Sequence, residues 1–232
     1  MPAVECRHLN KTYRQGDLEV VGLRDVDLVI ESGEFTCLSA PSGGGKTTLL
    51  NAIGGLDQPD SGEILVDGER VDTMSKAERA SLRLHKIGFV FQAYNLIPVL
   101  SASENVEFVM QVQGLSKEER RQRSTQALAD VGLEGLGDRR PAQMSGGQQQ
   151  RVAVARAIVS EPVLVLADEP TANLDSQTSE QLMELFQSLN ENRGTTFVIA
   201  THDEGVMAYT RRRVRLLDGR LVGDGPPEAA PS

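Results

Sequence analysis

Hydrophobic and polar positions along the chain follow two rhythms, and the boundaries between them outline the fold. Val4–Tyr13 and Leu23–Ile30 read as strands flanking a polar turn at Gln15-Gly16-Asp17, and Phe35–Ser39 as a short strand. A helix follows from about Gly45 to Ile53 and stops at Gly54-Gly55, a glycine terminator. Ser61–Val71 alternates apolar and polar residues between glycines, as a hairpin does, and Ile87–Phe91 has the continuous apolar character of a buried strand. From Tyr94 to Ser160 the spacing becomes helical. Ser101 with Glu104 forms a capping-box pattern opening a helix towards Met110, and Leu115–Val131 carries a second, highly charged helix. A third begins after Gln148, with Val152, Ala155, Ile158 and Val159 on one face. Strands return at Val163–Ala167 and Thr196–Ala200, separated by a helix over Gln177–Asn190. Strands that alternate with helices predict an α/β fold with a mainly parallel sheet covered on both faces. The proline-rich end, Pro226–Ser232, reads as disordered.

Composition narrows the classes. The chain has 232 residues and a formal net charge of -9, which argues against a nucleic-acid binder held mainly by phosphate contacts. Arg211-Arg212-Arg213 reads as a solvated strand end. Cys6 and Cys37 lie far apart in apolar, strand-like contexts and read as buried thiols of a reducing compartment, with no disulfide or metal framework. The opening residues lack the apolar core of a signal peptide, and no run approaches the roughly 18 apolar residues of a membrane span. The expectation is a cytoplasmic chain whose membrane role, if any, comes through a partner.

The chemistry lies where strands give way to loops. Ala40–Thr47 matches the phosphate-loop pattern G-x-x-x-x-G-K-[ST] except at its first residue, and it follows a strand and opens a helix. Backbone amides of Gly43, Gly44 and Gly45 can turn inward to form a nest for phosphate oxygens, with Ser42 and Thr48 flanking it. The helix start adds its positive end. In that arrangement Lys46 reaches the β- and γ-phosphates of a nucleotide and the Thr47 hydroxyl ligates Mg²⁺. Ala40 stands where the pattern has glycine; it costs on the order of 1 kcal/mol if the backbone there needs a positive φ, and little otherwise. Val163–Pro170, VLVLADEP, supplies the other half. Its apolar strand delivers Asp168 to the carboxyl end of the sheet, placed to hold Mg²⁺ through water, and Glu169 beside it, placed as general base for an attacking water.

The phosphate loop, the segment Gln143–Arg151 (QMSGGQQQR) and VLVLADEP, in that order, resemble one nucleotide-binding subunit of an ATP-binding cassette (ABC) ATPase, and the resemblance covers nearly the whole chain. It implies a P-loop NTPase core with an N-terminal antiparallel β subdomain and an inserted α-helical subdomain. The corresponding division is 1–92 and 161–225 for the nucleotide-binding core and 93–160 for the helical part, with 226–232 as the tail. It also implies ATP and a dimer of two such subunits, because one subunit's phosphate loop meets the other's signature segment across the nucleotide. Ser145, Gly146, Gly147 and Gln148 resemble that segment, with Met144 where leucine is usual. Gln92 resembles the glutamine that meets the metal or the attacking water and communicates with a membrane subunit. Ala172-Asn173-Leu174-Asp175 resembles the loop that carries contacts across the dimer. His202 resembles the histidine that contacts the γ-phosphate and steadies the base, and Tyr13 the aromatic that stacks on adenine.

Asn51–Ile64 and Lys86–Val106 resemble the lipoprotein-releasing and macrolide-export subfamily. That likeness implies an integral membrane permease as partner, received near Tyr94–Leu100, and a peripheral location on the inner face of the cell membrane. The alternative is a soluble ABC ATPase acting on nucleic acid or ribosomes. The acidic balance and the lack of coiled-coil or zinc-binding insertions count against it.

Overall fold

Strand Leu164–Asp168 (β7) shows how the main sheet is built. Leu164 and Leu166 join one hydrophobic cluster, Val165 and Ala167 another. That is the two-residue period of a strand buried on both faces. Phe197 and Ile199 against Val198 and Ala200 repeat it in Thr196–Thr201 (β8). The computed structural model describes residues 1–16 and 18–226. Asp17 of the expected turn and residues 227–232 of the expected tail lie outside the described residues.

Six strands form this sheet: Phe35–Ser39 (β3), Ile87–Phe91 (β6), β7, β8, Arg212–Leu217 (β9) and Arg220–Gly225 (β10). Their order is β10-β9-β3-β8-β7-β6, with every neighbour parallel except β9 and β10. A second, antiparallel sheet pairs Pro2–Gln15 (β1) with Leu18–Glu31 (β2) on one side and Ser61–Val66 (β4) on the other, and β4 with Glu69–Arg70 (β5). Helix Lys46–Ile53 (α1) packs among β1, β2, β4 and the main sheet. Between β6 and β7 the chain forms Ala102–Val112 (α3), Lys117–Asp130 (α4) and Gly146–Ile158 (α5), which pack on one another. Ser176–Arg193 (α6) and the short Glu204–Met207 (α7) cover the same face of the sheet as α5. The rings of Phe35, Phe197 and Phe186 meet there at centroid separations of 5.7 and 5.1 Å. Truncating Phe197 to alanine would cost about 3–5 kcal/mol.

Local chemistry sets the element ends. Helix α1 ends at Gly54, with Gly55 following at φ 61°. Ser101 and Glu104 form the expected capping box on α3. Helix α5 starts at Gly146, before Gln148 rather than after it, because Ser145 and Gln148 form a second capping box that offsets the low helix propensity of the two glycines. Helix Lys76–Lys86 (α2) was not foreseen; it buries Leu82 alone.

The arginine run departs from expectation. Arg211 is exposed, but Arg212 and Arg213 are half-buried. Arg212 makes a two-pronged bond to Asp224 and reaches Glu34, and Arg213 binds Glu204 and Ser39. Carboxylates from neighbouring segments, rather than solvent, meet these charges. Cys6 and Cys37 are free and buried, as expected. Burial pushes the Cys37 thiol up to about 12 and that of Cys6 higher still, so neither is a thiolate at neutral pH. Among the described residues no helix is long and apolar enough to cross a membrane.

Candidate functional site

Parallel pairing brings the carboxyl ends of β3, β8 and β7 side by side: Ser39 opposes Thr201, and Ala200 opposes Asp168. Everything that follows these strands therefore converges on one edge of the sheet, where open α/β sheets place their ligands.

The loop after β3 turns into α1 with Gly43 at φ 77° and Gly45 at φ 103°. A Cβ on Gly45 would lie 2.6 Å from the Gly22 carbonyl, so only glycine fits. Ala40 is not among the positive-φ residues, so alanine at the first pattern position carries no backbone strain. Lys46 is buried at 8 % exposure. Its ammonium donates to the Ala40 carbonyl at 2.8 Å and stands 3.8 Å from Glu169 Oε1.

Thr47 Oγ1 donates to Asp168 Oδ2 at 3.0 Å. The other Asp168 oxygen is buried and has no hydrogen-bond partner among the described residues. Burial pushes this carboxyl above its usual range; the Thr47 hydroxyl opposes the shift without cancelling it. A hydroxyl and an unpartnered buried carboxylate oxygen form the all-oxygen donor set that suits Mg²⁺. These residues fit the ion.

Glu169 is held at both oxygens. His202 Nδ1 lies 2.8 Å from Oε1, and Thr201 Oγ1 donates to Oε2 at 3.0 Å. The Asp203 amide donates to Thr201 Oγ1 at 3.1 Å, which leaves the hydroxyl proton for Glu169. A carboxylate only accepts, so the proton on Nδ1 of His202 faces it and Nε2 stays free. The Glu169 backbone amide donates to the Ala200 carbonyl at 2.8 Å, and its φ of 45° costs on the order of 1 kcal/mol. The surrounding bonds hold it there, beside a cavity of about 480 Å³ that His202, Thr171 and Asp203 also line. Thr201 was not foreseen; a hydroxyl closing the strand before His202 was the available signal.

Gln92 follows β6, whose last residue Phe91 pairs with Asp168; it is exposed, and its carbonyl accepts from Asn173 at 3.0 Å. Buried Gln150 of α5, also not foreseen, reaches the Pro170 carbonyl at 2.6 Å and that of Phe91 at 3.5 Å. One α5 side chain thus touches the residue after Glu169 and the residue before Gln92. Arg156 of the same helix donates to the carbonyls of Tyr94 and Asn95, whose φ values are 57° and 51°. Asn95 and Arg156 line a groove of about 450 Å³ together with Leu56, Arg83, Phe89 and Phe91.

Ser145 to Gln148 stand apart. Ser145 Oγ accepts the Gln148 amide at 3.3 Å, which leaves its own proton and the amides of Gly146 and Gly147 available at the positive end of α5. Among the described residues no hydrogen bond joins this segment to Ala40–Thr48, Asp168 or Glu169. Asp175 caps α6, with its oxygens on the Thr178 amide and hydroxyl at 2.9 and 2.6 Å. Tyr13 is 37 % exposed near the end of β1.

A sequence profile described as ABC transporter matches residues 23–172. The macrolide export ATP-binding/permease protein MacB of Syntrophobacter fumaroxidans is 46 % identical over all of this chain, which spans 34 % of that protein. The ATP-binding protein MJ0796 of Methanocaldococcus jannaschii is 44 % identical, and the lipoprotein-releasing system ATP-binding protein LolD of Francisella tularensis 42 %. Each alignment covers 94 % of this chain and 94 % and 95 % of the respective relatives. A dimeric post-hydrolysis structure of MJ0796 with ADP and Pi superposes with a TM-score of 0.89 at 42 % identity, covering 98 % of this chain and 100 % of that one. The mainly parallel core, the antiparallel sheet and the inserted helices are those of that cassette, and with the length of the profile match they establish that this chain belongs to the ABC transporter family of ATP-binding proteins.

Proposed function

We propose that this chain is an ATP-hydrolysing subunit that pairs with a second copy or a close relative around two ATP and drives a membrane permease. The observation that carries the reading is the fixed base: Glu169 sits between His202 and Thr201, within 3.8 Å of Lys46 and next in sequence to Asp168.

ATP enters along the phosphate loop, where the amides around Gly43, Gly44 and Gly45, with Ser42 and Thr48, receive the β- and γ-phosphates. Lys46 leaves the Ala40 carbonyl to meet them. Thr47, Asp168 and Gln92 would hold Mg²⁺, and the ion would supply neutralisation of phosphate charge. Glu169 takes the proton of the attacking water as its oxygen bonds the γ-phosphorus; the bond to ADP breaks and phosphate leaves. A positioned base contributes roughly 10²–10⁴-fold. A phosphate oxygen only accepts, so His202 meets the γ-phosphate as the doubly protonated ring, donating from Nε2 to the phosphate and from Nδ1 to the base. Ser145, Gly146, Gly147 and Gln148 complete the partner's site, and Asp175 lies in the loop crossing to it. Tyr13 stacks on adenine.

Residues 1–92 and 161–225 act as the nucleotide-binding body and 93–160 as the helical part that carries the signature segment. The names of the relatives and the acidic charge of the chain support transport of an export or lipoprotein-release type over work on nucleic acid. The permease is received near Tyr94–Leu100, where Arg156 pins the loop that follows Gln92, and the protein sits on the inner face of the membrane through that contact. Steady-state ATPase with Glu169→Gln tests the reading. Nucleotide binding with turnover reduced at least a hundredfold (about 10²) is expected; near-normal turnover removes Glu169 as base.

A further inference from the structure

The segment after α1 grips the strand that carries Tyr13. Four consecutive residues of β1 are held by the short run Asp57–Asp60. Asn10 presents its carbonyl to the Asp60 amide at 2.8 Å, and the Thr12 amide donates to Asp60 Oδ2 at 2.6 Å. Lys11 donates to the Gln58 carbonyl at 2.7 Å and pairs with Asp57 Oδ1 at 3.2 Å. The Tyr13 hydroxyl donates to Asp57 Oδ2 at 2.9 Å.

The Tyr13 ring is confined elsewhere too. The Lys11 ammonium stands 5.3 Å from its centroid, within the range of a cation–π contact. A Cβ on Gly22 would come within 2.9 Å of both Tyr13 Cε2 and Thr48 Cγ2, so glycine lets the ring settle against the first turn of α1. The gripping segment is itself tied to that helix, because the amides of Leu56 and Asp57 donate to the Asn51 carbonyl at 2.9 and 3.1 Å. One helix therefore carries the phosphate-binding Lys46 and Thr47 at its start and the anchor for the Tyr13 hydroxyl just beyond its end.

We propose that Asp57 is a positioning residue for the nucleobase, holding Tyr13 by its hydroxyl so that the ring stands ready for stacking at a fixed place relative to the phosphate loop. The proposal rests on the reading that Tyr13 stacks on adenine. An exposed tyrosine without this bond must give up its rotational freedom when the base arrives; with it, that ordering is complete beforehand. Burial raises the Asp57 carboxyl, but hydrogen bonds from Tyr13 and Lys11 outweigh burial and bring it below its usual range, so the anchor stays ionised around neutral pH.

The test compares a ligand that has the base with one that lacks it. Affinities of the full chain for ADP and for inorganic pyrophosphate are measured by titration calorimetry for wild type, Asp57→Ala, Asp57→Asn, Tyr13→Phe, the double variant Asp57→Ala/Tyr13→Phe, and Tyr13→Ala. Asp57→Ala and Tyr13→Phe should each weaken ADP roughly threefold to tenfold, the cost of ordering one side chain on binding. The double variant should be no weaker than the worse single one, because both remove the same bond. Asp57→Asn, which keeps an acceptor, should recover part of the loss, and pyrophosphate affinity should stay at the wild-type value. Wild-type ADP affinity in Asp57→Ala, with a loss in Tyr13→Ala, overturns the anchor and leaves stacking standing. Wild-type ADP affinity in Tyr13→Ala removes the stacking reading and the proposal with it. Equal loss of ADP and pyrophosphate in Asp57→Ala, or failure of Tyr13→Phe to reproduce the ADP loss, also overturns the proposal.

Discussion

The edge of the parallel sheet and the start of α5 both present groups suited to phosphate, yet they differ in what surrounds them. At the sheet edge the groups already touch: Thr47 binds Asp168, Lys46 approaches Glu169, and His202 and Thr201 hold Glu169. At α5, Ser145 and Gln148 satisfy each other, and the segment makes no bond to the phosphate loop or base among the described residues. One region gathers most of the groups that the proposed hydrolysis uses. The other keeps its hydrogen bonds within its own segment, so the proposed function gives it a role only in the site of a second subunit.

Removing the base should have the largest effect on this contrast. Glu169→Gln is expected to lower kcat by roughly 10²–10⁴-fold while ATP still binds, read by steady-state turnover beside a binding titration. Lys46→Ala should act on binding, because it removes the buried ammonium proposed to meet the phosphates; wild-type nucleotide affinity in that variant would contradict the loop assignment. Thr201→Val should be milder. It deletes the hydroxyl on Glu169 Oε2 but keeps shape, so kcat should drop about tenfold, the scale of one lost hydrogen bond to a charged group, with KM for ATP little changed. Thr201→Ser should restore turnover, and a parallel rise in KM would mean that the threonine acts on structure alone. Ala40→Gly should do least: with no positive φ to relieve, turnover should stay within about twofold of wild type.

Much of the sheet edge is legible in the sequence because its signals are local. The phosphate loop, Asp168 and Glu169 occupy contiguous stretches bounded by apolar strands, and a strand buried on both faces announces itself by composition. Helix α2 is hard to read because it packs only Leu82 inward, although the Ser75–Glu78 capping box marks its start. The start of α5 is hard to read for a related reason: Gly146-Gly147 discourages a helix, and only the Ser145–Gln148 pair offsets it. Arg212 looked solvated because its partners Glu34 and Asp224 belong to other strands or their flanks. Asp57 and Tyr13 are separated by 44 positions, and Gln150 reaches Pro170 across 20. Contacts of that span follow from the fold, and no local pattern encodes them.

The shared site is tested most directly by placing two substitutions in dimers assembled from distinguishable subunits. In one dimer Lys46→Ala and Ser145→Arg lie on the same subunit; in the other they lie on opposite subunits. If each site joins one subunit's Lys46 to the other's Ser145, opposite placement spoils one site and leaves the second whole. Same-subunit placement then spoils both. ATPase activity should persist in the opposite arrangement and vanish in the same-subunit arrangement; activity in the same-subunit dimer and none in the other would show that each chain catalyses alone.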